Sequence, residues 1–101
     1  MGKRIDLHKK LRKILGSDQI YFQPPRNVQL KFPCIIYDLN RYDIKYADDK
    51  KYLGTKGYTV TYVSPDPDDS TWEDILELPL SSFNRFFTAD DLNHWVLELY
   101  Y

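Results

Sequence analysis

Residues 78–101, LPLSSFNRFFTADDLNHWVLELYY, decide how this chain folds. Two apolar and aromatic runs, at 83–87 and 95–101, flank a polar segment that is rich in Asp and Asn. The two runs together hold six of the sixteen aromatic residues of the chain. Runs of this kind, bounded by turn residues, are typical of paired strands. We therefore expect two strands here, with the earlier elements completing the sheet that receives them.

Alternation with a period of two assigns the side chains of these strands to faces. In the first strand, one face is predicted to hold Phe83, Arg85 and Phe87, and the other face Asn84 and Phe86. In the second strand the two sets are Trp95, Leu97 and Leu99 against Val96, Glu98 and Tyr100. Asp90 and Asp91, with Asn93, are predicted to form the turn.

The segment Arg4–Leu15 is predicted to be a helix, with Gly16 as its C-terminal cap. Its apolar residues recur on one helical face, at Leu7, Leu11, Ile14 and Leu15. A second, short helix is predicted over residues 71–78. There Ser70 and Glu73 match a capping box, in which each side chain bonds the backbone of the other.

Three further runs favour strands. Residues 20–22 are short and precede two prolines, so they form at most an edge strand. Residues 34–42 resemble a central strand, and residues 58–63 alternate cleanly. The link 42–57 is long for a hairpin, so we expect an extended β-ribbon or a flexible loop whose tip is a candidate arm for binding a partner.

These elements predict one α+β domain over residues 1–101. Its sheet is mainly antiparallel and four-stranded, and an N-terminal helix and a short helix between strands two and three pack on it. The chain has no apolar run long enough to span a membrane, and no secretory signal core follows its basic N-terminus. The single cysteine, Cys34, excludes an internal disulfide and fits a reducing compartment. We expect Cys34 to be a small buried apolar residue.

Charge is distributed unevenly along the chain although the net charge is only −1. Residues 1–64 hold 13 Lys and Arg against 6 Asp and Glu, a balance of +7, whereas residues 65–101 hold Arg85 against 9 acids, a balance of −8. Opposite charge on two parts of one small domain favours head-to-tail association of identical copies. Two solvated faces without a partner would explain the same pattern equally well.

No motif in the chain indicates catalysis or a cofactor. The four glycines are scattered, and His8 and His94 are far apart in sequence. The acidic segment at 66–69 lacks the central Gly and distal Glu of a calcium loop, so helix capping explains it better than a metal site. We therefore predict a self-associating or partner-binding domain that is not an enzyme and that holds no metal.

Three blocks of the sequence resemble a family of small proteins from tailed bacteriophages and prophages. These blocks are YFQPP at 21–25, FPCIIY at 32–37 and LPLSSFNRFFTADDLNH at 78–94. The family is similar to the tail-completion or tail-terminator group of long-tailed phages. The resemblance implies an antiparallel sheet with helices against it. It also implies a virion protein, assembled in the bacterial cytoplasm, that caps the tail tube as a ring, expected to be hexameric, and presents a surface to the head.

Implied partners are other copies of the chain, the tail tube protein and the head-completion or neck proteins; neither nucleic acid nor membrane is expected. Residues predicted for the subunit or tube interface lie on the basic helix, the long link and the acidic segment: Lys9, Lys10, Lys13, Tyr46, Asp48, Asp49, Lys50, Lys51, Tyr52, Asp68 and Asp69. The alternative is a small nucleic-acid-binding or host-directed phage accessory module that uses the basic helix. Terminator, joining and head-completion roles remain open at this point.

Overall fold

The structure is a computed structural model that describes the backbone of residues 4–25, 28–47 and 50–101, and the side chains of these residues except 41–55. Two helices and five strands follow one another along the chain. Their bounds are α1 Arg4–Leu15, β1 Ile20–Phe22, β2 Cys34–Ala47, β3 Lys50–Ser64, α2 Thr71–Leu76, β4 Ser81–Ala89 and β5 Leu92–Tyr100. The strands form one sheet in the order β1-β2-β3-β5-β4.

The predicted α+β class is confirmed, but the prediction of four antiparallel strands is corrected to a five-stranded mixed sheet. The additional strand is β1, which pairs with β2 in parallel through Ile20↔Ile35 and Phe22↔Tyr37. All other neighbouring strands are antiparallel. β1 is an outer strand, which agrees with the prediction of at most an edge strand at 20–22. Its parallel pairing was not predicted, because three residues before two prolines carry little information about a distant partner.

Helix α1 begins and ends where its apolar spacing predicts. Leu7 and Leu11 are fully buried, and Ile14 and Leu15 pack against the core at its margin. Gly16 lies at φ 76°, and its N–H donates to the carbonyl of Arg12 at 2.8 Å, so the glycine ends the helix in the left-handed region, as predicted.

The core lies between the two helices and one face of the sheet. Alternate residues of the central strands supply most of it: Ile35, Tyr37, Tyr58, Val60, Tyr62, Trp95, Leu97 and Leu99, all 5% exposed or less. Ile75 of α2 is fully buried in the same cluster. α1 contacts β1 and β2, α2 contacts β4, and the two helices contact each other, so they lie side by side across this face, α1 towards β1 and α2 towards β4. We call this face of the sheet, which packs against both helices, the helix face.

A two-residue turn joins β4 to β5. Asp90 and Asp91 have φ values of 53° and 62°, as a type I′ turn requires at both central positions. Asp tolerates this region better than most residues because its short side chain bonds locally. The turn was predicted at these residues, and it sets the register that brings Ala89 opposite Leu92.

Strands β2 and β3 continue beyond the rest of the sheet as a two-stranded ribbon. β1 ends opposite Tyr37, and β5 ends opposite Gly57, whereas β2 and β3 remain paired from Arg41↔Gly57 to Ala47↔Lys50. The predicted extended β-ribbon is thus confirmed for the described backbone. The domain measures 52 × 28 × 23 Å along its principal axes.

Candidate functional site

The basic residues predicted for an interface lie on α1. Lys9, Lys10 and Lys13 are all exposed, as expected for residues that lie outside the helical face of the buried Leu7 and Leu11. The ammonium of Lys10 lies 4.8 Å from the centre of the Tyr101 ring. Nothing among the described contacts pairs these three lysines with a carboxylate, so the helix presents positive charge to solvent.

An open depression of about 420 Å³ follows the C-terminal end of α1. It is lined by Lys9, Arg12, Lys13, Gly16, Ser17 and Asp18. Arg12 Nε lies 2.5 Å from Asp18 Oδ1, and both side chains are mostly exposed. The depression could receive an anionic group of a partner through Lys9 and Lys13, but its shallow shape gives it no enclosed site for a small substrate.

The acidic residues lie on α2 and on the loop before it. Glu73 and Asp74 are exposed on α2, Glu77 is exposed directly after its last residue, and Asp68 is exposed in the loop before it. α1 lies towards β1 and α2 towards β4, and the two helices contact each other, so the basic and the acidic side chains belong to adjacent helices at different ends of the strand order. The uneven distribution of charge along the sequence therefore appears in the fold as a basic helix α1 and an acidic helix α2.

Asp69 holds the start of α2 against β3. Its carboxylate accepts hydrogen bonds from Tyr62 Oη at 2.5 Å and Ser64 Oγ at 3.0 Å, both on β3. It also accepts from the backbone N–H of Thr71 at 3.0 Å and from Thr71 Oγ1 at 2.8 Å. Asp69 was predicted for an intermolecular interface, which stays a prediction, and within the chain its oxygens accept from Tyr62, Ser64 and Thr71.

The predicted capping box at Ser70 and Glu73 is wrong, because Ser70 makes no side-chain cap bond. Asp69 takes the capping role, since Tyr62 and Ser64 already fix its carboxylate beside the first turn of α2. The helix also ends earlier than predicted, at Leu76. The single hydroxyl proton of Ser81 is shared between the carbonyl of Leu76, at the end of the helix, and that of Leu78 beyond it, 2.7 and 2.6 Å from Oγ.

The Asp69 contacts shift two pKa values. Burial alone would raise the pKa of Asp69, but the hydrogen bonds from Tyr62, Thr71 and Ser64 together hold it below 3.8. Burial, followed by the hydrogen bond to Asp69, raises the pKa of Tyr62 to about 12. Both shifts favour a neutral phenol that donates to an ionised carboxylate, as a stable structural pair requires.

A second polar group joins α1 to β2 near the other edge. Arg4 donates from Nη1 to Tyr37 Oη at 3.1 Å, and the Tyr37 hydroxyl lies 2.8 Å from His8 Nδ1. While Tyr37 accepts from Arg4, its own proton is free to be donated to His8 Nδ1 in the tautomer that carries no proton there. Burial first, and then the charges of Arg4 and Arg12, lower the pKa of His8 from 6.5.

Strand β4 is an outer strand of the sheet with an exposed aromatic surface. Phe83 is 46% exposed and Phe86 is 47% exposed, and the preceding Leu80 is 73% exposed at a φ of 59°. Phe87 is exposed as well, and its ring stacks on His94 with centroids 4.6 Å apart. Sequence reasoning assigned the side chains of this strand to two faces and did not predict that they are exposed.

A β-bulge between Phe83 and Arg85 corrects the predicted faces of β4. Phe83 pairs with Leu97, and Phe86 pairs with Trp95. Leu97 and Trp95 both belong to the helix face, so Phe83 and Phe86 share that face, whereas alternation assigned them to opposite faces. Strict alternation cannot place Phe83, Phe86 and Phe87 all on one face, and this was the signal in the sequence that could have indicated a bulge.

The two exposed phenylalanines extend an aromatic cluster at the acidic side. Trp72 of α2 stacks on Trp95 with an interplanar angle of 7°, and Phe83 contacts Trp72 at 5.6 Å between ring centroids. Phe86 lies 5.3 Å from Trp95 by the same measure. The cluster anchors the inner edges of Phe83 and Phe86 and leaves their outer edges open.

The remaining predicted interface residues belong to the ribbon. Tyr46 lies on its β2 strand, and Lys50, Lys51 and Tyr52 lie on its β3 strand. Asp48 and Asp49 lie outside the described residues. The predicted interface residues therefore fall into three places, α1, the ribbon and the loop before α2, and the structure does not gather them into one site.

Cys34 is fully buried, as predicted, and burial raises the pKa of its thiol to about 11. Among the described residues, no three His, Cys, Asp or Glu side chains are grouped so that they could hold a metal ion. Nor does any helix in that part of the chain have the length and apolar character needed to cross a bilayer.

Comparison of the chain with protein families, curated proteins and solved structures finds no match. The fold and its surfaces therefore define the chain as an α+β domain with a basic side, an acidic and aromatic side, and a projecting β-ribbon.

Proposed function

We propose that this protein is a ring-forming structural subunit at the head–tail joint of a long-tailed bacteriophage. In this role it caps the tail tube, ends its polymerisation and joins the tail to the head. The resemblance of residues 21–101 to tail terminators supplies the biological context. The observation that carries the assembly mode is the separation of charge between the two sides of the sheet.

A ring requires each subunit to present two different, complementary surfaces. Lys9, Lys10 and Lys13 are exposed on α1, which lies towards β1. Glu73 and Asp74 on α2 and Glu77 directly after it are exposed towards β4 and provide the opposite charge. A two-fold dimer that buried either charged surface against itself would bring like charges together. The polarity therefore favours head-to-tail assembly, which closes into a ring when the rotation between subunits permits.

The ribbon suits contact with a further component of the joint. An isolated two-stranded ribbon is only marginally stable in water, so a projecting one gains stability from a partner. We assign residues 41–47 and 50–56 of the ribbon to contact with the tail tube or with a head-completion protein.

Electron microscopy of phage particles after deletion of the gene tests this function. Overlong tails, or tubes without heads, are the expected result. Complementation with a Lys9→Glu, Lys10→Glu, Lys13→Glu variant should fail to restore normal tails, whereas a variant with Arg at the same positions should succeed because it keeps the charge. Intact, infectious particles without the gene would refute the proposal, and tails of normal length beside filled heads would indicate a joining protein.

The depression beside α1 favours one second candidate, a nucleic-acid-binding module. Lys9, Arg12 and Lys13 line it, and such side chains contact phosphates readily. This function predicts binding to DNA or RNA with an affinity that falls steeply as salt rises. Fluorescence anisotropy with a labelled oligonucleotide at several salt concentrations distinguishes it from the ring subunit.

A further inference from the structure

Strand β4 offers a partner an unpaired outer edge and an apolar surface together. It is the last strand in the sheet order, so β5 lies on one side of it and no strand of the described chain lies on the other. Leu80, Phe83 and Phe86 are exposed beside this edge. Exposed edges of this kind pair readily with further strands unless charge or a covering element protects them.

The opposite side of the sheet has the complementary features. β1 forms the outer edge there, and α1 lies over β1 and β2 with its lysines exposed. Two large apolar side chains are also exposed on elements of that side, Ile5 on α1 and Phe32 in the connection from β1 to β2. Each side therefore combines apolar groups with charge, and the sign of the charge differs between the sides.

We propose that the β4 and α2 side of one copy docks against the β1 and α1 side of a second copy of this chain. In this contact α2 of one copy faces α1 of the next, and Phe83 and Phe86 are covered. The contact deepens the proposed function, on which it rests for its assignment to a ring.

The charges select this occupant. Glu73 and Asp74 of α2, with Glu77 directly after it, lie on the same side as the exposed phenylalanines, so a partner that covers Phe83 gains by bringing positive charge to α2. The α1 side of the chain itself has that charge. Both helices lie on the same face of the sheet, so copies that stand side by side in one orientation bring α2 and α1 to the same level.

The bulge in β4 has a role in this contact. By adding Asn84 between the pairs Phe83↔Leu97 and Arg85↔Val96, it places Phe83 and Phe86 on one face. Without the extra residue, alternation separates the two rings. The bulge therefore collects on the helix face the two apolar groups that a neighbouring copy would bury.

Sedimentation velocity of the purified chain over a concentration series provides the first test. The wild-type protein should associate, and a Phe83→Ser, Phe86→Ser variant should associate at least about tenfold more weakly, because central aromatic residues dominate interface affinity. Phe87→Ser is the matched control, since Phe87 lies on the same strand but on the other face, and it should leave association nearly unchanged. Circular dichroism verifies that each variant folds.

A monomeric wild-type protein at all concentrations would overturn the proposal, as would a folded Phe83→Ser, Phe86→Ser variant that associates like the wild type. If the Phe83→Ser, Phe86→Ser variant failed to fold, exchange of charge between α1 and α2 would decide the question.

Charge exchange tests the pairing of α1 with α2 directly. One variant carries Glu at Lys9, Lys10 and Lys13, and another carries Lys at Glu73, Asp74 and Glu77. Each variant alone should associate at least about tenfold more weakly than the wild type, because it places like charges in the contact. An equimolar mixture should regain association, since each variant then meets opposite charge on both sides. Absence of rescue in the mixture would overturn the proposed pairing.

The two proposals can fail separately. If association depends on Phe83 and Phe86 but the phage that lacks the gene has normal tails, the contact is retained and the tail function is refuted. If the phage that lacks the gene has overlong tails but the mixture of charge variants does not regain association, the tail function is retained and this contact is refuted.

Discussion

At the scale of single residues, Asp69 joins an element of the helix layer to the sheet. It accepts from Tyr62 and Ser64 of β3 and from the start of α2 at Thr71. Hydrogen bonds to an ionised group are stronger than those between neutral groups, and loss of the shared acceptor leaves several donors without a partner. This one carboxylate therefore couples the position of α2 to the position of β3.

We predict that Asp69→Ala lowers the free energy of unfolding by about 2 kcal/mol, because it removes charge-assisted hydrogen bonds and exposes the partial charge of the first turn of α2. Urea denaturation measures the change. Asp68→Ala is the matched control, since Asp68 is an exposed neighbour, and it should change the free energy by less than about 0.5 kcal/mol. Equal effects of the two substitutions would contradict the assigned role.

His8 makes stability depend on pH. Its pKa is lowered in the folded chain from the ordinary value of 6.5, so the unfolded chain binds more protons around that pH. This contribution to stability is complete above 6.5 and is lost as the pH falls through the folded pKa. In the tautomer whose Nδ1 accepts from the Tyr37 hydroxyl, protonation of the ring also removes that acceptor.

We therefore predict that the free energy of unfolding falls between pH 7 and pH 5 more steeply in the wild type than in His8→Gln, which lacks the titrating group. Thermal or urea unfolding at a series of pH values measures the difference. His94→Gln is the control, because His94 stacks on Phe87 at the other end of the sheet. Parallel profiles for the wild type and His8→Gln would show that His8 does not contribute.

At the scale of elements, the ribbon is separable from the sheet. Leu39 and Tyr58 are paired, and beyond Gly57 only β2 and β3 continue. Removal of residues 41–56 joins Asn40 directly to Gly57. An Asn-Gly pair between two paired strand residues is the preferred sequence of a type I′ hairpin turn.

We predict that the chain without residues 41–56 still folds cooperatively. Its free energy of unfolding should fall by about 1 kcal/mol, because the hydrogen bond from the Tyr101 N–H to the Lys56 carbonyl is lost. Circular dichroism and urea unfolding test this outcome. Removal of residues 58–63 serves as the contrast, since it takes Tyr58, Val60 and Tyr62 from the core and should abolish folding. Loss of folding in the first variant would mean that the ribbon is part of the core.

At the scale of the whole molecule, the proposed association of copies rests on the separation of charge between two helices. The basic α1 lies towards β1 and the acidic α2 towards β4. Screening shortens the range of such attraction from about 10 Å at 0.1 M salt to about 3 Å at 1 M salt. Apolar contacts at Phe83 and Phe86 are not weakened in this way.

Association of the chain should therefore weaken by about tenfold between 0.1 M and 1 M sodium chloride, as exposed pairs of charge are screened. Sedimentation at the two salt concentrations measures the shift. A variant with Gln at Lys9, Lys10 and Lys13 should lose most of this salt dependence. Association that strengthens with salt in the wild type would indicate a contact driven by apolar burial alone.

Local sequence determined much of this protein. The spacing of Leu7, Leu11 and Ile14, with Gly16 after them, was enough to place α1, because a helix is stabilised by neighbours three and four residues apart. The alternation around Val60 placed β3, and Asp90 with Asp91 marked the turn between β4 and β5. Short-range geometry controls each of these features.

Tertiary structure decided the rest. Parallel pairing of Ile20 with Ile35, capping of α2 by Asp69 in place of Ser70, and the bulge after Phe83 all depend on residues that lie on other elements. A local pattern cannot specify which distant strand or side chain is available. For the same reason, only the assembled sheet shows that β4 is an outer strand, and therefore that Phe83 and Phe86 are exposed and available to a neighbouring copy.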